Sequence, residues 1–277
     1  MTASGTFTAG EFMARLRPTD RDELTARSRA RRWPAGASLF LEGEQSSTVV
    51  VVATGRVKVF QLTESGEEIV LAVRGPGALL GELSAIDGLP RSASVAALEP
   101  VVAHVMHVEA FRDFLDSHAQ VAVALLHLVV ERLRDADRKR VEFAAYDTSA
   151  RVAQRIVELA ERFGEPDAQG TRITVALSQD ELAGWVGASR EAVAKALRTL
   201  REQGQLATGR RTMTVLDLDG LRRREVQRHG DHDERDDGGA VRWCCFPSSR
   251  PTCCSPRPWS PSRWARTGTS PGGSGTS

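Results

Sequence analysis

Between residues 33 and 108 apolar and polar side chains alternate with a period of two; after residue 108 the apolar ones recur every three or four. The first period belongs to strands and the second to helices, because side chains alternate across a sheet but return to one helix face after three or four positions. The chain therefore builds a β-unit first and helical units afterwards. Candidate strands are residues 38–41, 49–53, 56–62, 69–73, 78–80, 93–97 and 101–108, separated by Gly36, Gly43, Gly55, Gly66, Gly75-Pro76-Gly77 and Gly88. Many short strands with turn residues between them predict a roll, barrel or jelly-roll.

Residues 81–95 interrupt this β pattern. They combine a turn glycine (Gly81), a carboxylate (Glu82), a proline-braked loop and the pair Arg91-Ser92. An arginine fork matches two phosphate oxygens, a serine adds a donor, and a nearby Glu accepts from a sugar hydroxyl. A helical turn at 82–86 would aim backbone N–H groups at the same anion. A small phosphorylated ring fits this chemistry. A surface loop with an incidental arginine is the alternative.

A short helix at 109–116 leads into a long one at 120–145. Its apolar rows, Ala122, Leu125 and Val129 beside Leu126, Val130 and Leu133, predict packing on the β-unit and on a parallel copy of itself. Asp147 is a helix cap, followed by Val152, Ile156, Leu159 and Phe163 on one face. Residues 164–171 read as a loop and 172–177 as a strand. Ser178 and Glu181 have capping-box spacing, Gly187-Ala188 a turn, and Ser189 caps a helix to about residue 203. On that last helix Val193, Ala196, Leu197 and Leu200 share one side, and Arg190, Glu191, Ala194, Lys195 and Arg198 the opposite arc. This is a helix-turn-helix pattern with base-reading side chains on its outer face. Residues 206–208 and 212–216 form a wing whose tip, Gly209-Arg210-Arg211, suits phosphate contact.

Composition narrows the classes. The 277 residues carry a net charge of +1, so any basic surface is local. Only Lys58, Lys139 and Lys195 are lysines. All four cysteines fall after residue 243, which denies the earlier chain a disulfide or a cysteine-held cluster. No leader pattern opens the chain, and the longest apolar run, 121–130, is too short to span a bilayer. The expected location is the cytoplasm. No Ser-His-Asp, metal-ligand or paired-carboxylate constellation converges, so no enzyme is predicted. His104 and His107 on a late strand are read as structural, with no metal or haem expected.

From Trp33 to about Arg223 the chain resembles the CRP/FNR family of bacterial transcription regulators. The resemblance rests on the β-unit glycines, Gly81-Glu82-Leu83 with Arg91-Ser92, the long helix, the Asp147 region and Ser189-Arg190-Glu191 with Lys195. It implies an α+β chain: an N-terminal lead (1–32), a cyclic-nucleotide-binding β-roll or jelly-roll (33–119), a dimerisation helix (120–145), and a C-terminal winged helix-turn-helix (147–226). In the family, the residue matching Glu82 binds the ribose of cyclic AMP, those matching Arg91 and Ser92 bind the cyclic phosphate, and the backbone at Gly81 and Leu83 lines the pocket. A Thr-Ser pair that meets adenine, one residue from each subunit, is replaced here by Ala136 and Asp137. Alanine offers no hydrogen bond and a carboxylate only accepts, which suits guanine donors, so cyclic GMP stands beside cyclic AMP as the implied effector. The implied DNA contacts are Ser178, Gln179, Ser189, Arg190, Glu191, Lys195, Arg198, Arg210 and Arg211, reading TGTGA-like half-sites of a palindrome. Lys195 stands where close relatives have arginine, keeping the charge without the fork. The implied partners are double-stranded DNA, a second copy of the chain and RNA polymerase, with no membrane. A cyclic-nucleotide-binding or ligand-independent module acting on a protein partner is the alternative.

Two segments stand apart. Residues 27–32 read as an Arg-rich solvated linker after a helical lead bearing Phe12, Met13 and Leu16. Residues 227–277, with a charged run, Cys-Cys pairs and Ser/Pro/Arg/Gly repetition, have no period that could build a core. They read as a disordered extension or an out-of-frame translation of a GC-rich gene end. Adjacent cysteines lack the usual zinc-ligand gap.

Overall fold

The computed structural model describes residues 11–175, 177–209 and 212–224. The assignments for 227–277, and for Arg210 and Arg211, lie outside the described residues. The chain opens with α1 (Phe12–Arg15) and α2 (Pro18–Ala26). The β-unit comprises β1 (Arg29–Trp33), β2 (Ser38–Phe40), β3 (Thr48–Thr54), β4 (Val57–Leu62), β5 (Glu68–Arg74), β6 (Leu79–Leu80), β7 (Ser94–Ala97) and β8 (Val101–His107), with α3 (Glu82–Asp87) between β6 and β7. The strands form two four-stranded sheets, β1-β8-β3-β6 and β2-β7-β4-β5. Between them lies an apolar core that includes Val50, Val52, Val57, Leu80, Val95 and Ala103.

The Arg-rich segment is not a linker. Residues 29–33 pair antiparallel with β8, from Arg29 opposite Val105 to Trp33 opposite Val101. Four of these five side chains are exposed, so no apolar alternation marks the strand; its backbone hydrogen bonds define it. Charged side chains suit such an edge position. Phe12, Met13 and Leu16 are buried with Leu24, Phe111 and Phe114.

After β8 come α4 (Val108–Ser117) and α5 (Ala119–Ala145). The inner row of α5 is Val121, Ala124, Leu125 and Leu128. That shifts the expected row: Ala122 and Val129 are only partly buried, because the spacing of four and three from Val121 faces the β-unit. Val123, Leu126, Val130 and Leu133 remain exposed along a second face. No single helix among the described residues is long and apolar enough to cross a membrane.

The second helical unit contains α6 (Thr148–Phe163), β9 (Gly164–Asp167), β10 (Gly170–Ile173), α7 (Gln179–Val186), α8 (Arg190–Glu202), β11 (Leu206–Gly209), β12 (Thr212–Val215) and α9 (Leu218–Arg223). Residues 164–171, expected as a loop, supply β9 and the start of β10, and extend the wing to a four-stranded sheet, β11-β12-β10-β9. Pro166 hides this strand in the sequence, yet β9 is an edge where a missing N–H is tolerated. The predicted caps form. Asp147 accepts from the Ala150 N–H at 2.7 Å. Ser178 Oγ accepts from the Glu181 N–H at 3.1 Å, and Glu181 accepts from the Ser178 N–H at 2.8 Å.

The Asp147 cap fixes where α5 ends and α6 begins. Asp147→Ala should cost about 1 kcal/mol, the usual value of a lost cap. Urea unfolding should show a lower midpoint with an unchanged slope.

Candidate functional site

The site begins at a glycine. Gly81 has φ +78° and ψ +16°, a left-handed conformation that bends the chain from β6 into α3. A Cβ there would stand 1.9 Å from Arg91 Nη1, so only glycine leaves room for the guanidinium. Arg91 is 5% exposed. Its Nη1 donates to the Gly81 carbonyl at 3.1 Å and its Nη2 to the Thr48 carbonyl at 2.6 Å. Its guanidinium carbon lies 4.1 Å from the centre of the Phe40 ring. Burial lowers the Arg91 pKa, while Glu82 and Glu44 act in the opposite direction. The result is a fixed, buried cation at the cavity wall with the Glu82 and Glu44 carboxylates nearby. From α4, Arg112 Nε donates to the Ala85 carbonyl at 2.8 Å and braces α3.

Glu82 is buried as well, at 4% exposure. It pairs with Arg132 of α5, whose Nη2 also donates to the Leu79 carbonyl at 2.8 Å. Nothing in the local sequence marks Arg132 among the many charged residues of α5 except its position one helical turn before Ala136, on the same face of the helix. Lys139 continues that face, donating to the Leu71 carbonyl at 3.0 Å and pairing with Asp135 at 2.8 Å. Burial pushes the Asp135 pKa up, but Lys139, Arg138 and Arg74 outweigh it and hold the carboxyl below its ordinary value.

These groups line one cavity of about 670 Å³. Gly81, Glu82, Leu83, Arg91, Ser92 and Ala136 of the expected set all border it. Ser92 is exposed, and its carbonyl accepts from Gln61 Nε2 at 2.8 Å. Asp137 is not among the lining residues. It lies on the exposed face of α5, four residues beyond Leu133. The cavity continues past the β-unit to Phe143, Arg151, Arg155, Trp185 and Val186. Its volume sits mid-range for small-molecule pockets.

A second surface lies on α8. Val193, Ala196, Leu197 and Leu200 are buried, while Arg190, Glu191, Lys195 and Arg198 are exposed. Ser189 caps the helix by accepting from the Ala192 N–H at 3.2 Å. Gly187, at φ +60°, makes the turn from α7. Arg190 lies 3.6 Å from Asp180. Its own backbone N–H and the Ser189 hydroxyl hold the Glu191 carboxyl below its usual range. Ser178 spends its hydroxyl on the α7 cap, and Gln179 is exposed at the start of that helix. His104 and His107, three apart on β8, point to opposite faces and do not converge.

A cyclic nucleotide-binding domain model matches residues 30–118 and a Crp-like helix-turn-helix domain model matches residues 150–224. The chain belongs to the CRP/FNR family of transcriptional regulators. It is 32% identical to the CRP-like cAMP-activated global transcriptional regulator of Mycobacterium tuberculosis over 78% of this chain and 96% of that one. It is 31% identical to the cyclic AMP receptor protein of Thermus thermophilus over 72% of this chain and 89% of the relative. Among solved structures it resembles the c-di-GMP-responsive global regulator CLP of Xanthomonas campestris. There the TM-score is 0.62 and the identity 25%, covering 73% of this chain and all of that one. The CRP/FNR architecture of β-roll, long helix and C-terminal helix-turn-helix is the one described above.

Gly81→Ala tests the contact that shapes the cavity. The substitution forces a side chain into left-handed backbone, at roughly 1–2 kcal/mol, and drives Arg91 off its carbonyls. Chemical denaturation should show at least that loss; a wild-type midpoint would mean that Arg91 and Gly81 are not in contact.

Proposed function

We propose that the protein is a dimeric, sequence-specific DNA-binding regulator whose β-roll takes a cyclic nucleotide. The observation that carries this is Arg91. A buried guanidinium held by two carbonyls lines a cavity beside a buried carboxylate, in a chain that also exposes the Arg190–Arg198 face of a helix-turn-helix. In this reading Arg91 and Ser92 take the cyclic phosphate and Glu82 the ribose hydroxyl, with Gly81 and Leu83 as the backbone wall. Glu82 must then exchange part of its pairing with Arg132 for the sugar.

The dimer follows from α5. Val123, Leu126, Val130 and Leu133 are spaced three, four and three, the seam of a two-helix coil, and all are exposed in the single chain. Asp137 continues that seam, so it meets a base only across a dimer, in the partner's cavity, whereas Ala136 borders the cavity of its own chain. The names of the mycobacterial and Thermus relatives support cyclic AMP. Asp137, an acceptor only, favours the amino and N1–H donors of guanine and motivates cyclic GMP as the second candidate.

On DNA, Arg190, Glu191, Lys195 and Arg198 read base edges in the major groove. Gln179 and the wing arginines Arg210 and Arg211 contact phosphates, and Ser178 and Ser189 place helix ends against the backbone. Two such units reach successive major grooves about 34 Å apart, giving palindromic, TGTGA-like half-sites. RNA polymerase in the cytoplasm is the partner this role calls for. The domain limits proposed are 33–119, 120–145 and 147–226.

Two measurements test this reading. Titration calorimetry of the dimer should show binding of cyclic AMP or cyclic GMP, and Arg91→Ala should weaken it by about 2–5 kcal/mol, since a buried phosphate would lose its partner. Unchanged affinity would remove Arg91 from the site. In gel shifts across half-site variants, Arg190→Ala should cost about 1–3 kcal/mol at one base step and relax specificity there. Uniform weakening at every sequence would make Arg190 a phosphate contact instead.

A further inference from the structure

The far wall of the cavity belongs to the DNA-binding unit. Trp185, on the first helix of the helix-turn-helix, lines the same cavity as Arg91 and Glu82. It is 4% exposed, and its indole N–H has no acceptor among the described residues. A buried N–H without an acceptor is a cost that packing alone does not explain. Two cations flank the ring: Lys139 Nζ lies 5.9 Å and Arg155 Cζ 5.7 Å from its centre.

The approach of α7 to the β-roll is built for this placement. A Cβ on Gly184 would stand 2.2 Å from the Glu68 carbonyl oxygen, so only glycine lets the helix lie against β5. Lys58 closes the same seam, paired with Glu68 and, at 3.2 Å, with Glu181. Gly184 is an unfavourable residue inside a helix. Its use here, one residue before the tryptophan, brings the indole to the cavity.

We propose that Trp185 is part of the effector site: the base of the bound cyclic nucleotide displaces one of the two flanking cations from the indole and stacks on the face it leaves. The inference rests on the reading of this cavity as the nucleotide pocket. The phosphate and sugar are then held by the β-roll and the base by the DNA-binding unit. The nucleotide bridges the two, and α7 feels it directly rather than only through α5. Stacking tolerates either purine, because each presents a π face. Discrimination between adenine and guanine is left to groups on α5.

The test uses the full-length chain with cyclic AMP and cyclic GMP as probes. Nucleotide should quench tryptophan emission in the wild type, and the quench should vanish in Trp185→Phe. Trp185→Leu should lose roughly ten-fold or more in affinity, the size of effect that follows removal of a stacked aromatic. Because Trp185 also packs in the core of its own unit, Gly184→Ala gives an independent arm. It leaves the indole intact and favours the helix, but holds α7 off β5, so it should weaken nucleotide binding and reduce the quench. Wild-type affinity in Trp185→Leu or in Gly184→Ala overturns the proposal, and so does a quench that persists in Trp185→Phe. Failure of the wild type to bind either nucleotide overturns the reading of the pocket itself and is recognised by the absence of heat and quench together.

Discussion

A buried guanidinium sets the terms for the rest of this molecule. Removing a cation from water is costly unless its donors find partners, and Arg91 places donors of both terminal nitrogens on the carbonyls of Gly81 and Thr48 while its face rests on Phe40. Each of those contacts imposes a further requirement. Gly81 cannot carry a side chain, so the chain turns there and α3 begins. Thr48 has to open β3, and Phe40 has to close β2. The loop before Arg91 is tied to the loop after Phe40 by Arg91 N–H to the Glu44 carbonyl and Gly43 N–H to the Arg91 carbonyl, both at 2.9 Å. The cation is in place before any anion arrives, so binding does not have to order it.

The second buried charge links this cradle to the rest of the chain. Glu82 has its partner on α5, in Arg132, so the carboxylate that faces the cavity also fixes the long helix against the β-roll. Further along α5, Glu142 pairs with Arg155 of α6, and Arg155 reaches Glu158 at 2.7 Å. Burial raises the Glu142 pKa against the pull of Arg155, Arg138 and Lys139. A buried ion pair of this kind adds little net stability but tolerates few alternative geometries. It joins α5 to α6 beside the cavity. An effector that took Glu82 from Arg132 would act on a helix whose other end is tied to the DNA-binding unit through Glu142 and Arg155.

Much of this was legible in the sequence, and the gaps have physical causes. The strands of the β-roll, the caps at Asp147, Ser178 and Ser189, and the buried side of α8 follow from periodicity and short-range hydrogen bonding, which local sequence encodes. Residues 29–32 look like a linker because Arg29, Ala30, Arg31 and Arg32 are all exposed and show no alternation; the pairing of β1 depends on β8, some seventy residues away. β9 was read as a loop because Pro166 disfavours a strand anywhere but an edge. Arg132 and Trp185 were missed for a related reason. One belongs to a long charged stretch of helix, the other to a helix whose own spacing marks it as core. Their place at the cavity depends on how α5 and α7 lie on the β-roll, which no spacing rule records. Ala136 and Asp137 stand where the family has a Thr-Ser pair divided between subunits, and neighbouring helix positions, about 100° apart, separate the cavity face from the seam face.

The end of α5 shows how the two surfaces can be joined. The Phe143 ring occupies the space that a side chain on Gly187 would need, its Cε1 standing 2.3 Å from that Cβ position. Gly187 is the turn from α7 into α8, so its left-handed backbone and its missing side chain answer two demands at once. Arg151 Cζ lies over the phenyl ring, 4.9 Å from its centre, and donates to the carbonyls of Phe143 and Tyr146. The ring is 48% exposed, so it joins α5 to this turn by direct contact rather than by burial in a core. A shift of α5 at the Glu82–Arg132 pair would reach, eleven residues along the same helix, a ring that touches the turn from which Arg190 and Glu191 project. The coupling needs no long chain of intermediates: one rigid helix carries an ion pair near its middle and an aromatic wedge near its end.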